Sequence, residues 1–141
     1  MTQETRDLDV VVLGGGGHVG LPLSLTLADA GLCVGIYDTS QTTLDRIAGG
    51  EMPFLETGAD DLLRKVLATG RLELGTDGSI IERTQTLIIV VGTPVDEFLG
   101  PSMTVFERVV NQVAPHLRDG ALVILRSTVY PGTTEYVTHH L

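Results

Sequence analysis

Leu13-Gly14-Gly15-Gly16-Gly17-His18-Val19-Gly20 is the stretch that decides how this chain folds. It follows an apolar run at residues 10–13, and within it Gly15-x-Gly17-x-x-Gly20 has the spacing of a dinucleotide-binding turn between a strand and a helix. The first glycine permits a tight turn, the second lets a pyrophosphate approach the backbone, and the third lets the helix pack closely on the strand. Free amide groups at the helix N-terminus, including those of His18 and Val19, would then bind the anion.

The glycine spacing alone is a weak signal, because four consecutive glycines are also typical of a flexible loop. Two features favour nucleotide binding: the motif directly follows a strand-like run, and the acidic residue Asp38 lies at the expected distance beyond it. A carboxylate at this position can accept hydrogen bonds from the adenosine ribose hydroxyls and would repel a 2′-phosphate. No arginine lies within residues 39–41, so the sequence favours NAD over NADP. The alternative is that Asp38 only caps the next helix.

Outward from the turn, apolar runs alternate with helical patterns. Strands are predicted at residues 9–13, 33–38, 72–74, 86–91 and 121–125, and helices at 18–30, 41–48, 57–70, from 104 to a stop at Pro115, and 133–141. Strands that alternate with helices form a parallel sheet covered on both faces. We therefore predict a Rossmann-type doubly wound α/β fold, a single three-layer domain with strand order 3-2-1-4-5 and a ligand crevice at the C-terminal strand ends.

The first helix is predicted against a competing pattern. Leucines alternate with polar residues or proline from Leu21 to Leu27, which is the period of a strand. A helix is nevertheless expected, because the glycine turn demands one and Pro22 is tolerated in a first turn. Val19, Leu23, Leu27 and Ala30 then fall on one helical face.

Helix caps can also be predicted from local motifs. Ser40 or Thr39 is expected to cap the second helix. Thr57-x-x-Asp60 resembles an acidic capping box for the third, and Ser79-x-x-Glu82 is expected to cap a one-turn helix. Thr104-x-x-Glu107 has the same pattern ahead of the fourth helix.

Two loops follow C-terminal strand ends and are candidates for function. Thr93, in the long loop 92–103, lies where a ribose or nicotinamide should pass, whereas Asp96 and Glu97 fit solvated turn acids at least equally well. In the loop 126–132, the hydroxyls of Ser127 and Thr128 could orient a substrate or a water, or could satisfy local backbone groups.

Composition limits the classes of function. The chain has 141 residues, 43% of them hydrophobic, a formal net charge of −9 and one cysteine. This length allows one domain with a core, the acidity argues against nucleic acid as a partner, and Cys33 fits a small core residue. A single cysteine excludes an internal disulfide and a multi-cysteine zinc site, so no metal site is expected. No apolar run approaches the ~20 residues of a membrane span. Without a signal-peptide pattern either, a cytoplasmic protein with no membrane partner is the default expectation.

Four stretches together resemble the N-terminal domain of the UDP-glucose/GDP-mannose dehydrogenase family, and within it the UDP-N-acetyl-D-mannosamine dehydrogenase-like branch. They are GGGHVGLP at 15–22, MPFLE at 52–56, VGTPVDE at 91–97 and STVYPGTTE at 127–135. The resemblance implies oxidation of the C6 alcohol of a UDP-sugar to a carboxylate with two NAD⁺. It also implies that Thr128 is the active-site threonine that helps to hold a catalytic water. The position of His18 is usually occupied by tyrosine or phenylalanine, and Thr43 lies near a place often occupied by a basic residue.

The resemblance also implies parts that lie farther along a family member than residue 141. These are a nucleophilic cysteine, a lysine, an asparagine, glutamates, a central dimerisation helix and a C-terminal sugar-nucleotide domain. We therefore expect residues 1–141 to be the NAD-binding domain of a longer, homodimeric enzyme, and to be inactive alone. The substrate could be UDP-N-acetyl-D-mannosamine, a related N-acetylhexosamine, UDP-glucose or GDP-mannose. An alternative of another class is a stand-alone NAD-sensing module.

Overall fold

The computed structural model describes residues 7–90, 104–126 and 133–141. Within these ranges it contains strands and helices in the predicted alternation. The strands are β1 (Val10–Leu13), β2 (Val34–Tyr37), β3 (Leu72–Gly75), β4 (Thr86–Ile89) and β5 (Leu122–Leu125). The helices are α1 (Gly20–Asp29), α2 (Gln41–Ala48), α3 (Ala59–Thr69), α4 (Thr104–Val113) and α5 (Thr133–His140), with short 3₁₀ helices at Gly78–Arg83 and Ala114–His116.

The strands form one parallel sheet in the order β3-β2-β1-β4-β5, which confirms the predicted order and the Rossmann-type fold. Leu13 at the end of β1 pairs with Tyr37 of β2 and Ile89 of β4. Ile89 in turn pairs with Leu125 at the end of β5. The C-terminal ends of four strands are thus aligned along one edge of the sheet. The order reverses at β1, so this edge has the switch point at which open α/β sheets bind ligands.

Helices cover both faces of the sheet. Side chains of a strand alternate between the two faces, so an apolar strand presents residues to a helical layer on each side. Val10 and Val12 of β1 belong to a core cluster with residues of α1, α2 and α3. Val11 and Leu13 belong to a second cluster with residues of the Gly78–Arg83 helix and α4. All four residues are buried, as expected of a central strand between two helical layers.

The face of α1 that contacts the core differs from the predicted one. The buried residues of α1 are Gly20, Leu21, Ser24, Leu25 and Ala28, whereas Val19 and Ala30 are exposed. Leu23 and Leu27 are only partly buried. Ser24 can lie on the buried face because its hydroxyl donates to the carbonyl of Gly20 at 2.7 Å. Alternating leucines supply apolar residues to either face, so the periodicity could not choose between them. The helix also begins at Gly20 rather than His18.

Two of the predicted helix caps are wrong. Ser40 caps α2 by accepting a hydrogen bond from the Thr43 amide, as expected. The N-cap of α3, however, is Gly58 in a left-handed conformation, and the Asp60 carboxylate accepts from the Met52 amide instead. The Gly78–Arg83 helix is capped by Asp77 rather than by the predicted Ser79, whose amide donates to that carboxylate at 2.9 Å. In both places an acidic side chain accepts a hydrogen bond from a backbone amide that the capping motif does not predict.

The end of α4 and the turn before β5 agree with the sequence prediction. Helix α4 ends at Val113, and Pro115 lies in the 3₁₀ turn that follows. Gly120 has φ +79° in the turn before β5. Over the ranges that the structure describes, no helix is both long and apolar enough to cross a bilayer.

Candidate cofactor site

The glycine turn joins β1 to α1 and is held against the two neighbouring strands. Gly14 has φ +82°, and its amide donates to the Tyr37 carbonyl at 2.8 Å. A Cβ at Gly14 would lie 1.8 Å from the Val90 carbonyl oxygen, and one at Gly20 would lie 2.2 Å from that of Gly14. Both positions therefore require glycine for the fold itself. The sequence motif predicts that Gly20 lets the helix pack on the strand, whereas the close contact of Gly20 is with the turn itself. The motif missed Gly14, whose only signal is its place in the run of four glycines.

Gly15 lies in the tight part of the turn. A Cβ there would approach Ile36 Cγ2 to 2.7 Å and the Val12 carbonyl oxygen to 2.9 Å. This crowding by the neighbouring strand fits the tight turn predicted at the first glycine of the motif.

Gly17 differs from the other glycines of the motif, because its missing side chain faces open space. The nearest atom to a Cβ at Gly17 is the Gly14 carbonyl oxygen at 3.4 Å, which is an ordinary contact. The next amides, those of His18, Val19 and Gly20, donate no hydrogen bond to any residue that the structure describes. Open space beside unused amides at a helix N-terminus is what an incoming phosphate requires. The turn therefore fits the pyrophosphate of a dinucleotide.

Asp38 connects the glycine turn to the segment that follows β2. Its Oδ2 accepts from the Gly16 amide and its Oδ1 from the Ser40 amide, both at 3.0 Å. Ser40, and not Asp38, caps α2, so the capping alternative for Asp38 is wrong. A carboxylate has about four lone-pair sites, so two remain for ribose hydroxyls. Asp38 is half-buried at the strand end where the sequence placed the ribose contact.

His18 stacks on Phe54, with ring centroids 4.2 Å apart and an angle of 23° between the ring planes. From the sequence, His18 is predicted to lie in the turn, whereas no role is predicted for Phe54. The stack joins the glycine turn to the MPFLE stretch at 52–56, so two of the four resembling stretches are in direct contact. Glu56 lines a separate shallow cavity between α1 and the start of α3. A planar ring at position 18 can serve this contact whether it is a histidine or a phenyl ring.

A cleft opens at the carboxyl ends of β1 and β2, beside Asp38. Its volume is about 220 Å³, and its lining includes Tyr37, Asp38 and Thr39 on one side and Arg108, Val109 and Gln112 of α4 on the other. Pockets for whole drug-sized ligands are about 300–1,000 Å³, so this cleft is of a size for part of a dinucleotide. Burial, and then the negative charge of Asp77, raises the pKa of Tyr37, so its phenol is neutral at pH 7. No pattern in the sequence indicates that Arg108 reaches this cleft.

The structure does not test every predicted site residue. Thr93, Asp96, Glu97, Ser127 and Thr128 lie outside the described residues. Cys33 is a half-buried free thiol packed against the second core cluster. Thr43 takes part in the α2 cap, where its hydroxyl accepts from Ser40 Oγ at 2.9 Å. In the part of the chain that the structure describes, no cluster of three or more histidine, cysteine or acidic residues could hold a metal ion.

A larger cavity, of about 460 Å³, lies away from the glycine turn. It is lined by Gly120 and Ala121 before β5, and by Val137 and Leu141 of the C-terminal segment. The cavity extends along β5, from Gly120 before the strand to Leu125 at its end, and neither the glycine turn nor Asp38 lines it. We therefore do not assign the cofactor to it.

Comparison with known proteins supports the cofactor assignment. Residues 9–141 match the family model described as UDP-glucose/GDP-mannose dehydrogenase family, NAD binding domain. The chain belongs to this family. UDP-glucose/GDP-mannose dehydrogenases are NAD-dependent oxidoreductases of nucleotide sugars, and the chain is the domain that binds NAD.

Individual members of the UDP-glucose/GDP-mannose dehydrogenase family are similar to the chain at comparable levels. A UDP-N-acetyl-D-mannosamine dehydrogenase of Pyrococcus horikoshii is 34% identical over 119 residues, which are 84% of this chain and 28% of that protein. A GDP-mannose 6-dehydrogenase of Pseudomonas savastanoi pv. phaseolicola is 35% identical over 125 residues, 86% of this chain and 28% of that protein. The chain thus spans less than a third of these relatives.

A solved structure shows the same fold in the family. The ternary complex of GDP-mannose dehydrogenase from Pseudomonas aeruginosa superposes with a TM-score of 0.86 at 30% identity, over 92% of this chain and 30% of that one. The identities to the UDP-N-acetyl-D-mannosamine and GDP-mannose dehydrogenases are nearly equal, so they do not distinguish between these two substrates.

Proposed function

We propose that this chain is the NAD-binding part of a nucleotide-sugar 6-dehydrogenase that oxidises the C6 alcohol of a UDP-sugar to a uronate. The observation that carries the proposal is the glycine turn. Gly17 leaves open space beside three amides that donate to no described residue, and Asp38 is fixed at the end of the adjacent strand. A pyrophosphate at the turn and a ribose at the carboxylate would direct the rest of a dinucleotide along the carboxyl ends of the strands.

Each residue of the turn would have a separate task in holding NAD. The amides of His18, Val19 and Gly20 would bind the pyrophosphate, and Asp38 would accept hydrogen bonds from the adenosine ribose. Bound NAD would accept hydride from the sugar carbon. Oxidation of an alcohol to a carboxylate removes four electrons, so two NAD⁺ are needed for each sugar. From its position after β4 in the sequence, we expect Thr93 to lie near the nicotinamide half.

The substrate we propose is UDP-N-acetyl-D-mannosamine or a related UDP-N-acetylhexosamine. Its support is the VGTPVDE stretch at 91–97, which resembles the N-acetylhexosamine branch. UDP-glucose and GDP-mannose are the alternatives. We expect the groups that grip the sugar, and the cysteine that attacks it, to belong to other parts of the full-length protein.

A direct assay tests the proposal. The full-length protein would be incubated with NAD⁺ and, in separate reactions, UDP-N-acetyl-D-mannosamine, UDP-N-acetyl-D-glucosamine, UDP-glucose and GDP-mannose. We expect two NADH formed for each sugar consumed, with the highest kcat/KM on an N-acetylhexosamine. A higher kcat/KM on UDP-glucose or GDP-mannose would overturn the substrate assignment alone. NAD binding without turnover of any sugar would instead favour a sensing module.

A further inference from the structure

Arg108 is the basic side chain that the fold brings to the cleft beside Asp38. It comes from α4, 70 residues beyond Asp38 in the chain, and both residues line the same cavity of about 220 Å³. We propose that Arg108 is a cofactor-binding residue whose guanidinium stacks on the adenine ring of NAD. The proposal rests on the NAD-binding function proposed above and adds a residue and a contact to it.

Arg108 has no competing partner within the described part of the chain. Its side chain is exposed, and it forms no ion pair or hydrogen bond with any described residue. Neighbouring Val109 is 6% exposed and packs into the core below, so it supplies an apolar floor rather than a contact for charge. Several other arginines are already engaged with carboxylates, namely Arg46 with Glu51, Arg64 with Asp61, and Arg83 with Glu73.

The two walls of the cleft differ in chemistry. Asp38, on the β2 side, keeps acceptor sites for ribose hydroxyls while two backbone amides hold its carboxylate in place. Arg108, on the α4 side, forms no ion pair with Asp38, and both side chains line the same cavity. A guanidinium is planar and stacks on aromatic faces, and adenine presents such a face. The nucleoside would then fit with its sugar towards Asp38 and its base towards Arg108.

This arrangement also affects the choice between NAD and NADP. The sequence argument for NAD considered only residues 39–41, which contain no arginine. In the folded chain a 2′-phosphate would approach the Asp38 carboxylate, which repels it, and also the Arg108 guanidinium, which attracts it. Arg108 should therefore make the preference for NAD smaller than Asp38 alone would impose.

Calorimetric titration of the full-length protein with AMP, NAD⁺ and NADP⁺ tests the proposal. Arg108→Ala should weaken AMP and NAD⁺ binding about tenfold, in line with a desolvated cation–π contact, and NADP⁺ binding by more. Arg108→Lys retains the charge without the planar group, so it should restore much of the NADP⁺ affinity and little of the AMP affinity. Arg64→Ala, an exposed arginine of α3 outside the cleft, is the matched control and should bind all three ligands like the parent.

The outcomes separate this inference from the proposed function. If the parent protein binds NAD⁺ and Arg108→Ala binds AMP and NAD⁺ equally well, the role of Arg108 is overturned and the NAD site stands. If Arg108→Lys restores AMP binding fully, charge rather than stacking explains the effect, and the stacking contact is overturned. If the parent binds neither AMP nor NAD⁺, both proposals fail. If the ligand-free Arg108→Ala protein unfolds at the same temperature as the parent, weaker binding by this variant does not result from a loss of structure.

Discussion

Gly17 and Gly20 are two glycines of one motif with different physical reasons for lacking a side chain. A Cβ at Gly20 would collide with the Gly14 carbonyl oxygen at 2.2 Å, whereas a Cβ at Gly17 would make only an ordinary contact at 3.4 Å. The glycine at 20 is therefore required by the fold, and we infer that the glycine at 17 is required by the ligand. Substitution can separate the two requirements.

Gly17→Val should abolish NAD binding and leave the fold intact, because its methyl groups would fill the space that a pyrophosphate needs. The measurements are calorimetric titration with NAD⁺ and thermal unfolding of the ligand-free protein. Gly20→Ala is the comparison, and it should lower the unfolding temperature, since a backbone oxygen 2.2 Å away must move. A Gly17→Val protein that binds NAD⁺ like the parent would place the phosphate site elsewhere.

Asp38 should favour NAD(H) over NADP(H), because its carboxylate accepts from ribose hydroxyls and repels a 2′-phosphate. Asp38→Ala should weaken NAD(H) binding and narrow the difference between the two cofactors, as measured by titration of each. It also leaves the Gly16 and Ser40 amides without their acceptor, so we expect a loss of about 1–3 kcal/mol in unfolding free energy. Asp38→Asn keeps an acceptor for one amide and should lose less stability. Equal or tighter NADP(H) binding by the parent would contradict the assignment.

Helix α2 is capped by Ser40, one of the two residues, Ser40 or Thr39, that the sequence predicts for this cap. The Ser40 hydroxyl accepts from the Thr43 amide at 3.2 Å. Ser40→Ala should therefore cost about 1 kcal/mol of unfolding free energy in denaturant titration. Thr57→Ala is the matched control, because the predicted cap at Thr57 is replaced by Gly58, and its cost should stay within about 0.5 kcal/mol. A loss at Thr57 equal to that at Ser40 would mean that the local motif forms after all.

The 3₁₀ helix Gly78–Arg83 should show a pH-dependent contribution to stability. The hydrogen bond from the Ser79 backbone amide lowers the pKa of Asp77 below its ordinary value. A folded-state pKa below the unfolded one means that the contribution is complete above about pH 4 and is lost as the pH falls through the folded value. Asp77→Asn should therefore make stability less dependent on pH as the pH falls below about pH 4, measured by denaturant titration at each pH. An unchanged pH profile would contradict the cap.

The whole molecule shows which contacts a sequence reveals and which it does not. The glycine turn, the apolar strands and the alternation of elements predicted the sheet order, because each depends on residues close together in the chain. The buried face of α1 was missed because leucines alternate along it, and the α3 cap was missed because Asp60 bonds to Met52, eight residues away. Arg108 was missed for the same reason on a larger scale, since only the sheet brings α4 to the end of β2.

The role predicted for Thr128 in positioning a catalytic water depends on the architecture of the whole sheet. Thr128 lies outside the described residues, but only three positions beyond Leu125, the last residue of β5. Three residues span at most about 11 Å, so we expect Thr128 near the carboxyl end of β5. A hydroxyl that positions a water should affect turnover more than cofactor affinity. Thr128→Ala in the full-length enzyme should lower kcat about 10²-fold, with the Kd for NAD⁺ nearly unchanged.

Ser127→Ala is the matched control for Thr128→Ala, because it removes the neighbouring hydroxyl from the same loop. Steady-state kinetics with the preferred nucleotide sugar would measure kcat, and titration with NAD⁺ would measure Kd for each variant. If Thr128 positions the water, only its own substitution should reduce kcat while Kd stays constant. Normal turnover by Thr128→Ala, or an equal loss for Ser127→Ala, would mean that these hydroxyls only satisfy the backbone of the loop.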